Sequence, residues 1–332
     1  MLWSEEARAV EVIPITPRGY CYGVVDAIQL ARRVARDPST PRPIHVLGLL
    51  VHNRLAVEEL AGLGIISLDG PDRLALLDQI QGGTVIFTAH GVSPQVKEKA
   101  RARGLHLVDA TCPDVARTHD LVRRLASEGY FIVYVGKRGH PEPEGVMGEA
   151  PGRVALVESV AEAESVPVPP GQPVAVTTQT TLSQWDTQAI IDRLLQRFPD
   201  ARVYNEICLA TQLRQQAAVE QAQDADLVIV VGDRRSNNSN RLVQVVLERA
   251  GKPAYLVEDV ADIQPRWLAG ARRVAVTAGS STPSPVTRRV IQFLREYVPP
   301  PPGEQLPESG HSRPPQAEPV AREPAGAARR PG

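Results

Sequence analysis

Aromatic side chains are scarce in this 332-residue chain: Phe, Trp and Tyr together make up 4% of it. Binding single-stranded nucleic acid relies on such rings as stacking platforms, so that class of partner is disfavoured. No sign of charge dominates either. Lys and Arg number 37, Asp and Glu 38, and the formal net charge is −1, which argues against a nucleic-acid or membrane-surface binder. No apolar run approaches the roughly 20 residues that span a bilayer. The first residues, MLWSEEARAVEV, carry acids and no long apolar core, so they do not read as a secretory signal. The expectation is a soluble cytoplasmic protein without nucleic-acid or membrane partners. Cysteine is also rare. Cys21, Cys112 and Cys208 are odd in number and far apart, which makes them poor disulfide material. A GxGxxG turn is missing, so the chain shows no nucleotide fingerprint for a reductant of its own.

What the chain does contain is a repeated strand–turn–helix pattern. The stretch Val85 to Gly148 holds three apolar strand-like runs. They end in the turns Ala89-His90-Gly91, Ala110-Thr111-Cys112-Pro113 and Gly139-His140-Pro141-Glu142. The first two turns lead directly into helical spacing, and after the third, Pro and Gly are expected to delay the helix. Around this stretch the same unit recurs three times. A cysteine turn is followed after 31, 28 and 28 residues by a polar turn at His52, His140 and Ser236. A third turn follows each cysteine by 69, 68 and 73 residues, at His90, Thr180 and Ser281.

Strands are expected near residues 10–15, 44–50, 65–68, 85–87, 154–157, 174–176, 202–204, 227–231, 254–257 and 274–276, besides those before Cys112 and His140. The acidic, Pro-rich piece 158–173 reads as connection. The last copy lacks a closing strand, and the N-terminal strand is the one left to supply it. The fold expected is α/β, with three pseudo-threefold-related lobes of small, mainly parallel sheets: residues 10–112, 113–204 and 205–297. In parallel sheets the carboxyl ends of strands hold ligands, so all the loaded turns should face one centre. Residues 299–332 contain ten prolines, a composition that cannot bury a core and reads as a disordered tail over 298–332.

Each cysteine alone is adequately explained as a small buried hydrophobe. Three at the same station of a repeat are not. Three thiolates on a threefold axis suit three irons of a cubane cluster, which leaves a fourth iron without a protein thiolate and open to substrate. Tetrahedral zinc with three Cys and one His is the competing reading, but it usually draws on close pairs that this chain lacks. His52, His90 and His140, with Ser236, Asn238 and Ser281, are small donors at helix starts, an arrangement that suits a phosphate. His45, His106, His119 and His311 occupy no such turn and read as structural or surface residues. Glu142 stands two residues beyond a strand-end histidine and is a candidate proton donor, although Glu206 and Asp109 also lie near cysteine turns. Among Thr177, Thr178, Thr180 and Thr181 the sequence does not choose which hydroxyl would assist. An open iron, an anion pocket and a proton donor together suggest removal of a hydroxyl from a phosphorylated substrate.

The segments PRGYCYGVVDAI, VHNRLAVEEL, TAHGVSPQV, DATCPDV, GHPEPEGVMG, TQTTLS, NEICLAT, SNNSNRL and VTAGSSTP, in that order across residues 10–297, resemble the 4-hydroxy-3-methylbut-2-enyl diphosphate reductase (LytB/IspH) family. The resemblance implies three lobes around one [4Fe–4S] cluster per chain, held by Cys21, Cys112 and Cys208. It implies a diphosphate bound by His52, His90, His140, Ser236, Asn237, Asn238 and Ser281. Protons would come from Glu142 beside His140, with Thr180 near the substrate hydroxyl. The reaction implied is two-electron reductive dehydroxylation, giving isopentenyl and dimethylallyl diphosphate in the methylerythritol phosphate isoprenoid pathway. Reduced ferredoxin or flavodoxin is the implied electron donor. One departure concerns Asn237, where the usual motif has serine; an asparagine still offers a donor, so binding is expected to survive with altered geometry. Two other classes compete: an enzyme like quinolinate synthase, condensing without net reduction, and a non-catalytic iron–sulfur redox sensor. The sensor would need a partner domain or a basic DNA-binding element, and the sequence offers no helix-turn-helix-like basic stretch.

Overall fold

The computed structural model describes residues 10–298; the Pro-rich segment read as a disordered tail lies outside them from residue 299 onward. The chain begins with β1 (Glu11–Pro14), α1 (Tyr22–Arg36), β2 (Ile44–Leu47), α2 (Arg54–Gly62), β3 (Ile65–Leu68), α3 (Arg73–Asp78), β4 (Thr84–Phe87), α4 (Pro94–Ala102) and β5 (His106–Asp109). It continues through α5 (Pro113–Ser127), β6 (Phe131–Val135), α6 (Pro141–Met147), β7 (Val154–Val157), α7 (Val160–Ser165), β8 (Val174–Thr178), α8 (Gln184–Arg197) and β9 (Arg202–Tyr204). The remaining elements are α9 (Leu209–Gln221), β10 (Leu227–Val231), α10 (Asn237–Val245), β11 (Ala254–Val257), α11 (Pro265–Leu268), β12 (Arg273–Ala278) and α12 (Ser284–Glu296).

These strands form three four-stranded sheets, ordered β3-β2-β4-β5, β7-β6-β8-β9 and β11-β10-β12-β1. Every pairing is parallel. Counting strands from each cysteine helix, all three sheets share the order second-first-third-fourth. The fourth strand of the last sheet is β1, whose Val12 lies opposite Val274. Strand order reverses between the first and third strands, and ligands of open parallel sheets bind at such switch points. In every sheet the polar turns of the repeat follow those two strands, and the cysteine follows the fourth.

The central strands are apolar because helices or neighbouring lobes cover both of their faces. Phe131–Val135 and Leu227–Val231 are buried throughout. Three local expectations need correction. The segment 158–173 is not all connection, because Ser159 accepts a hydrogen bond from the Glu162 N–H and starts α7, a capping interaction that the neighbouring prolines obscured. In the same way Asp72 caps α3 through the Leu74 and Ala75 N–H groups, in a stretch where sequence reading placed no helix. The helix after His140 is not delayed either. Pro141 occupies its first position, where a missing N–H costs nothing, and α6 begins at once.

Candidate functional site

The repeat places its chemistry in one cavity. Cys21, Cys112, Cys208, His52, His90, His140, Glu142, Thr180, Ser236, Asn237, Asn238 and Ser281 all line it, so every site residue expected from sequence comes together there. Each cysteine is the N-cap of a long helix, preceding α1, α5 and α9. All three are free, half-buried thiols. The first turn of α1 packs directly on Cys112: a Cβ added at Gly23 would stand 2.4 Å from its sulfur. Burial pushes the Cys112 thiol up to about 12, although the Asp114 and Val115 N–H groups partly stabilise the thiolate. The Cys208 thiol is raised by burial and opposed by a hydrogen-bonded Thr211 hydroxyl. Arg214 adds a buried positive charge close by, held by the carbonyls of Gly19 (2.7 Å) and Ala210 (2.8 Å).

Opposite the thiols stand the three histidines, with ring centroids 4.4, 5.2 and 5.5 Å apart. Burial drives His52 down to about 4 and His140 to about 3. His90 falls well below its ordinary value through burial, its two histidine neighbours and Arg73. All three imidazoles are therefore neutral at pH 7. His140 Nδ1 accepts the Glu142 N–H at 3.2 Å, which fixes the tautomer bearing hydrogen on Nε2. Their ring nitrogens lie within 4.8 Å of one another, close enough to share a metal ion. The groups beside them favour an anion instead. Asn238 takes the Ser280 N–H on Oδ1 at 2.7 Å, and its Nδ2 donor is buried without a partner. The Ser281 hydroxyl donates to the His52 carbonyl at 3.0 Å and lies 3.4 Å from the Ser236 hydroxyl. An orphaned donor at the start of a nine-residue helix calls for an acceptor-rich ligand.

Asn237 is placed differently from its neighbours. Its Nδ2 donates to the Thr181 carbonyl at 3.0 Å and lies 3.1 Å from the Thr181 hydroxyl, tying α10 to the turn after β8. Exchanging it for serine should lose both contacts. We expect a loss of about 1–2 kcal/mol of stability and less than about a threefold change in KM, measured by thermal unfolding and steady-state kinetics. A large rise in KM without destabilisation would show that the amide binds substrate directly.

Glu142 is 1% exposed. Its Oε1 accepts the Thr180 N–H at 2.7 Å, and its Oε2 accepts the Thr180 hydroxyl at 2.9 Å. The Tyr134 hydroxyl reaches Oε1 at 3.5 Å. Burial outweighs these bonds and raises the carboxyl to about 7. A group poised near neutrality can hold and release a proton under working conditions. Of the four threonines left open by sequence, it is Thr180 that touches Glu142. Tyr134 was missed. Its only signal was one hydroxyl in the apolar run FIVYV.

Of the histidines set aside, His45 is buried and His106 exposed, while His311 lies outside the described residues. His119 is buried, with Nδ1 2.7 Å from Glu149.

The LytB protein family model matches residues 12–295. A 4-hydroxy-3-methylbut-2-enyl diphosphate reductase of Symbiobacterium thermophilum is 64% identical over 288 residues, covering 87% of this chain and 98% of that protein. The reductase of the same name from Brevibacillus brevis is 58% identical, covering 87% and 92%. Among solved structures, the E-1-hydroxy-2-methyl-but-2-enyl-4-diphosphate reductase of Plasmodium falciparum superposes with a TM-score of 0.80 at 32% identity, covering 86% of this chain and 88% of that one. With the family model spanning nearly all the described residues and relatives this similar, the chain belongs to the LytB protein family.

Proposed function

We propose that this chain carries out the reaction for which its relatives are named, reductive dehydroxylation of 4-hydroxy-3-methylbut-2-enyl diphosphate to isopentenyl and dimethylallyl diphosphate. The observation that carries the reading is a carboxyl poised near pH 7, Glu142, in one cavity with three thiols and three neutral histidines. The balance is simple: the alcohol takes two electrons and two protons, and the C–O bond breaks to release water and leave a C–H bond. A [4Fe–4S] cluster on Cys21, Cys112 and Cys208 would supply the electrons and a Lewis-acidic iron. The three thiols fit it, because each stands at the positive start of a helix and Arg214 adds charge that favours thiolates.

His52, His90 and His140, with Ser236, Asn238 and Ser281, would donate to the diphosphate oxygens. Three imidazoles that are neutral by burial act here as fixed N–H donors, and they become easier to protonate once the anion is beside them. Glu142 holds a proton on Oε2, within reach of the Thr180 hydroxyl, and delivers it to the departing oxygen or the adjacent carbon. Thr180 orients the substrate hydroxyl and keeps the carboxyl in place. Reduced ferredoxin or flavodoxin is the proposed electron source and the cytoplasm the proposed compartment. Tyr22 and Leu209, each next to a cysteine, are 48% and 66% exposed, so the thiol end of the cavity lies close to the surface. No helix among the described residues is long and apolar enough to cross a membrane.

The test is anaerobic turnover by the cluster-reconstituted protein, with 4-hydroxy-3-methylbut-2-enyl diphosphate and a reduced viologen. Dye oxidation that depends on substrate and yields both five-carbon diphosphates is the expected result. An intact cluster with no dye oxidation rejects this reading.

A further inference from the structure

The ring of groups around the diphosphate position carries no net positive charge of its own. Its histidines are neutral, and its other members are hydroxyls and an amide. Attraction for a multiply charged anion must therefore come from outside that ring. A second cleft, about 480 Å³ in volume, abuts the site; His52, His140 and Asn237 line both cavities. Its walls bring together Arg73 from α3, Lys137 from the loop after β6, and Arg235 from the turn before α10.

Two of these cations make no ion pair among the described residues. Arg235 is engaged with Asp233 at 3.3 Å and with Asp69 at 3.6 Å. Arg73 makes only a long contact with the Gly70 carbonyl, at 3.5 Å. Although half-buried, it meets no carboxylate at ion-pairing distance among the described residues. Lys137 has no ion pair there either. Arg73 packs its guanidinium against Gly48: a Cβ at that position would stand 2.2 Å from Nη1. Gly48 has φ +109°, in the region that suits glycine. A guanidinium partly desolvated and outside any ion pair, with Glu144 and Asp69 acting on it only from longer range, is costly unless an anion visits it, and its planar fork matches phosphate oxygens.

We propose that this cleft is an anteroom for a diphosphate group, with Arg73 as its half-buried cation and Lys137 as an exposed one. In this role, which rests on the function proposed above, it captures the substrate before its phosphates reach the three histidines. Glu144, on the α6 wall of the same cleft, supplies the competing negative charge that lets the group move on. The field of Arg73 already lowers the proton affinity of all three histidines, so the two cavities are electrostatically linked.

The test uses the cluster-reconstituted protein and its variants Arg73→Gln, Arg73→Lys and Lys137→Gln. The readouts are kcat and KM at low and high salt, and calorimetric binding of inorganic pyrophosphate, which needs no turnover. For Arg73→Gln, kcat/KM at low salt should fall on the order of tenfold with kcat within about twofold, because a charge-assisted phosphate contact made before chemistry is lost. Its salt dependence should flatten, pyrophosphate affinity should fall by a similar factor, and Arg73→Lys should recover most of both. Unchanged KM, salt dependence and pyrophosphate affinity overturn the proposal. So does a fall in kcat equal to the fall in kcat/KM, which would place Arg73 in the chemical step or the fold. Should Arg73→Gln not fold, exposed Lys137 carries the test: the same changes at smaller size support the anteroom, and an unaltered salt dependence overturns it. Arg73-dependent pyrophosphate binding without any turnover by the wild type would leave the anteroom standing and remove the reductase reading instead.

Discussion

Replacing Glu142 by glutamine is expected to lower turnover by about 10²–10⁴-fold, the usual worth of a positioned acid, while the cluster and the diphosphate site persist. The geometry makes this an unusually clean exchange. Glutamine can turn its carbonyl oxygen to the Thr180 N–H that Oε1 now accepts and its amide to the Thr180 hydroxyl, which then accepts instead. No buried polar atom is left orphaned, so lost activity reports the missing proton rather than a collapsed wall. The pH profile supplies a second check. Because the acid form delivers the proton, wild-type kcat should fall as pH rises through about 7, and the residual rate of the variant should lack that limb.

Wild-type stability should fall with rising pH as well. The native carboxyl binds its proton more tightly than the unfolded one. Between the ordinary glutamate value and about 7, the folded chain therefore holds a proton that the unfolded chain has released. The resulting stabilisation is complete below the unfolded value and is lost as pH climbs through about 7. Glutamine has no such dependence, so Glu142→Gln should gain on wild type in thermal unfolding between pH 5 and pH 8. Turnover equal to wild type, or a stability difference that does not change with pH, would remove Glu142 from the role of proton donor.

Cys112→Ser should abolish turnover and strip most of the iron. Altering groups that merely support a metal ligand costs about 10–100-fold in affinity or activity, and losing the ligand itself should exceed that. Serine fits the space, since it is smaller than the thiol that Gly23 already packs against, and Cys112 makes no side-chain capping bond to lose. Iron content and visible absorbance after anaerobic reconstitution, read beside the turnover assay, check the expectation. Cys21→Ser and Cys208→Ser should behave alike if the three stations are equivalent. A Cys112→Ser protein with full iron and full activity would dismiss the cluster assignment.

How much was legible in the sequence depended on where the information sits along the chain. The three sheets could be read because each loaded turn recurs at a similar distance from a cysteine, and strand-end chemistry survives any uncertainty about strand boundaries. Short helices such as α3 and α7 were hidden, since Asp72 follows the turn-forming pair Gly70-Pro71 and the six residues of α7 run into the proline-rich stretch from Pro167. Residues whose role depends on side-chain direction were the hardest. Tyr134 looks like any core residue until β6 points it at Glu142. Arg73 and Arg214 look like ordinary helix-face cations until the packing sinks them beside the site. Asn237 illustrates the converse, because a residue inside a ligand-binding motif spends its amide on Thr181.

The place of β1 has a consequence for how the molecule is made. Cys21 follows a strand whose only sheet partner among the described residues is β12, and its own N–H is held by the Ser280 carbonyl at 3.1 Å. Its helix α1 packs on the first sheet through Val24, Ala27 and Ile28, so the Cys21 turn ties the first lobe to the third. The sheet of the third lobe is complete only when β1 meets β12. A chain that ended before β12 would lack both the strand that holds β1 and the Ser280 carbonyl that holds the Cys21 N–H.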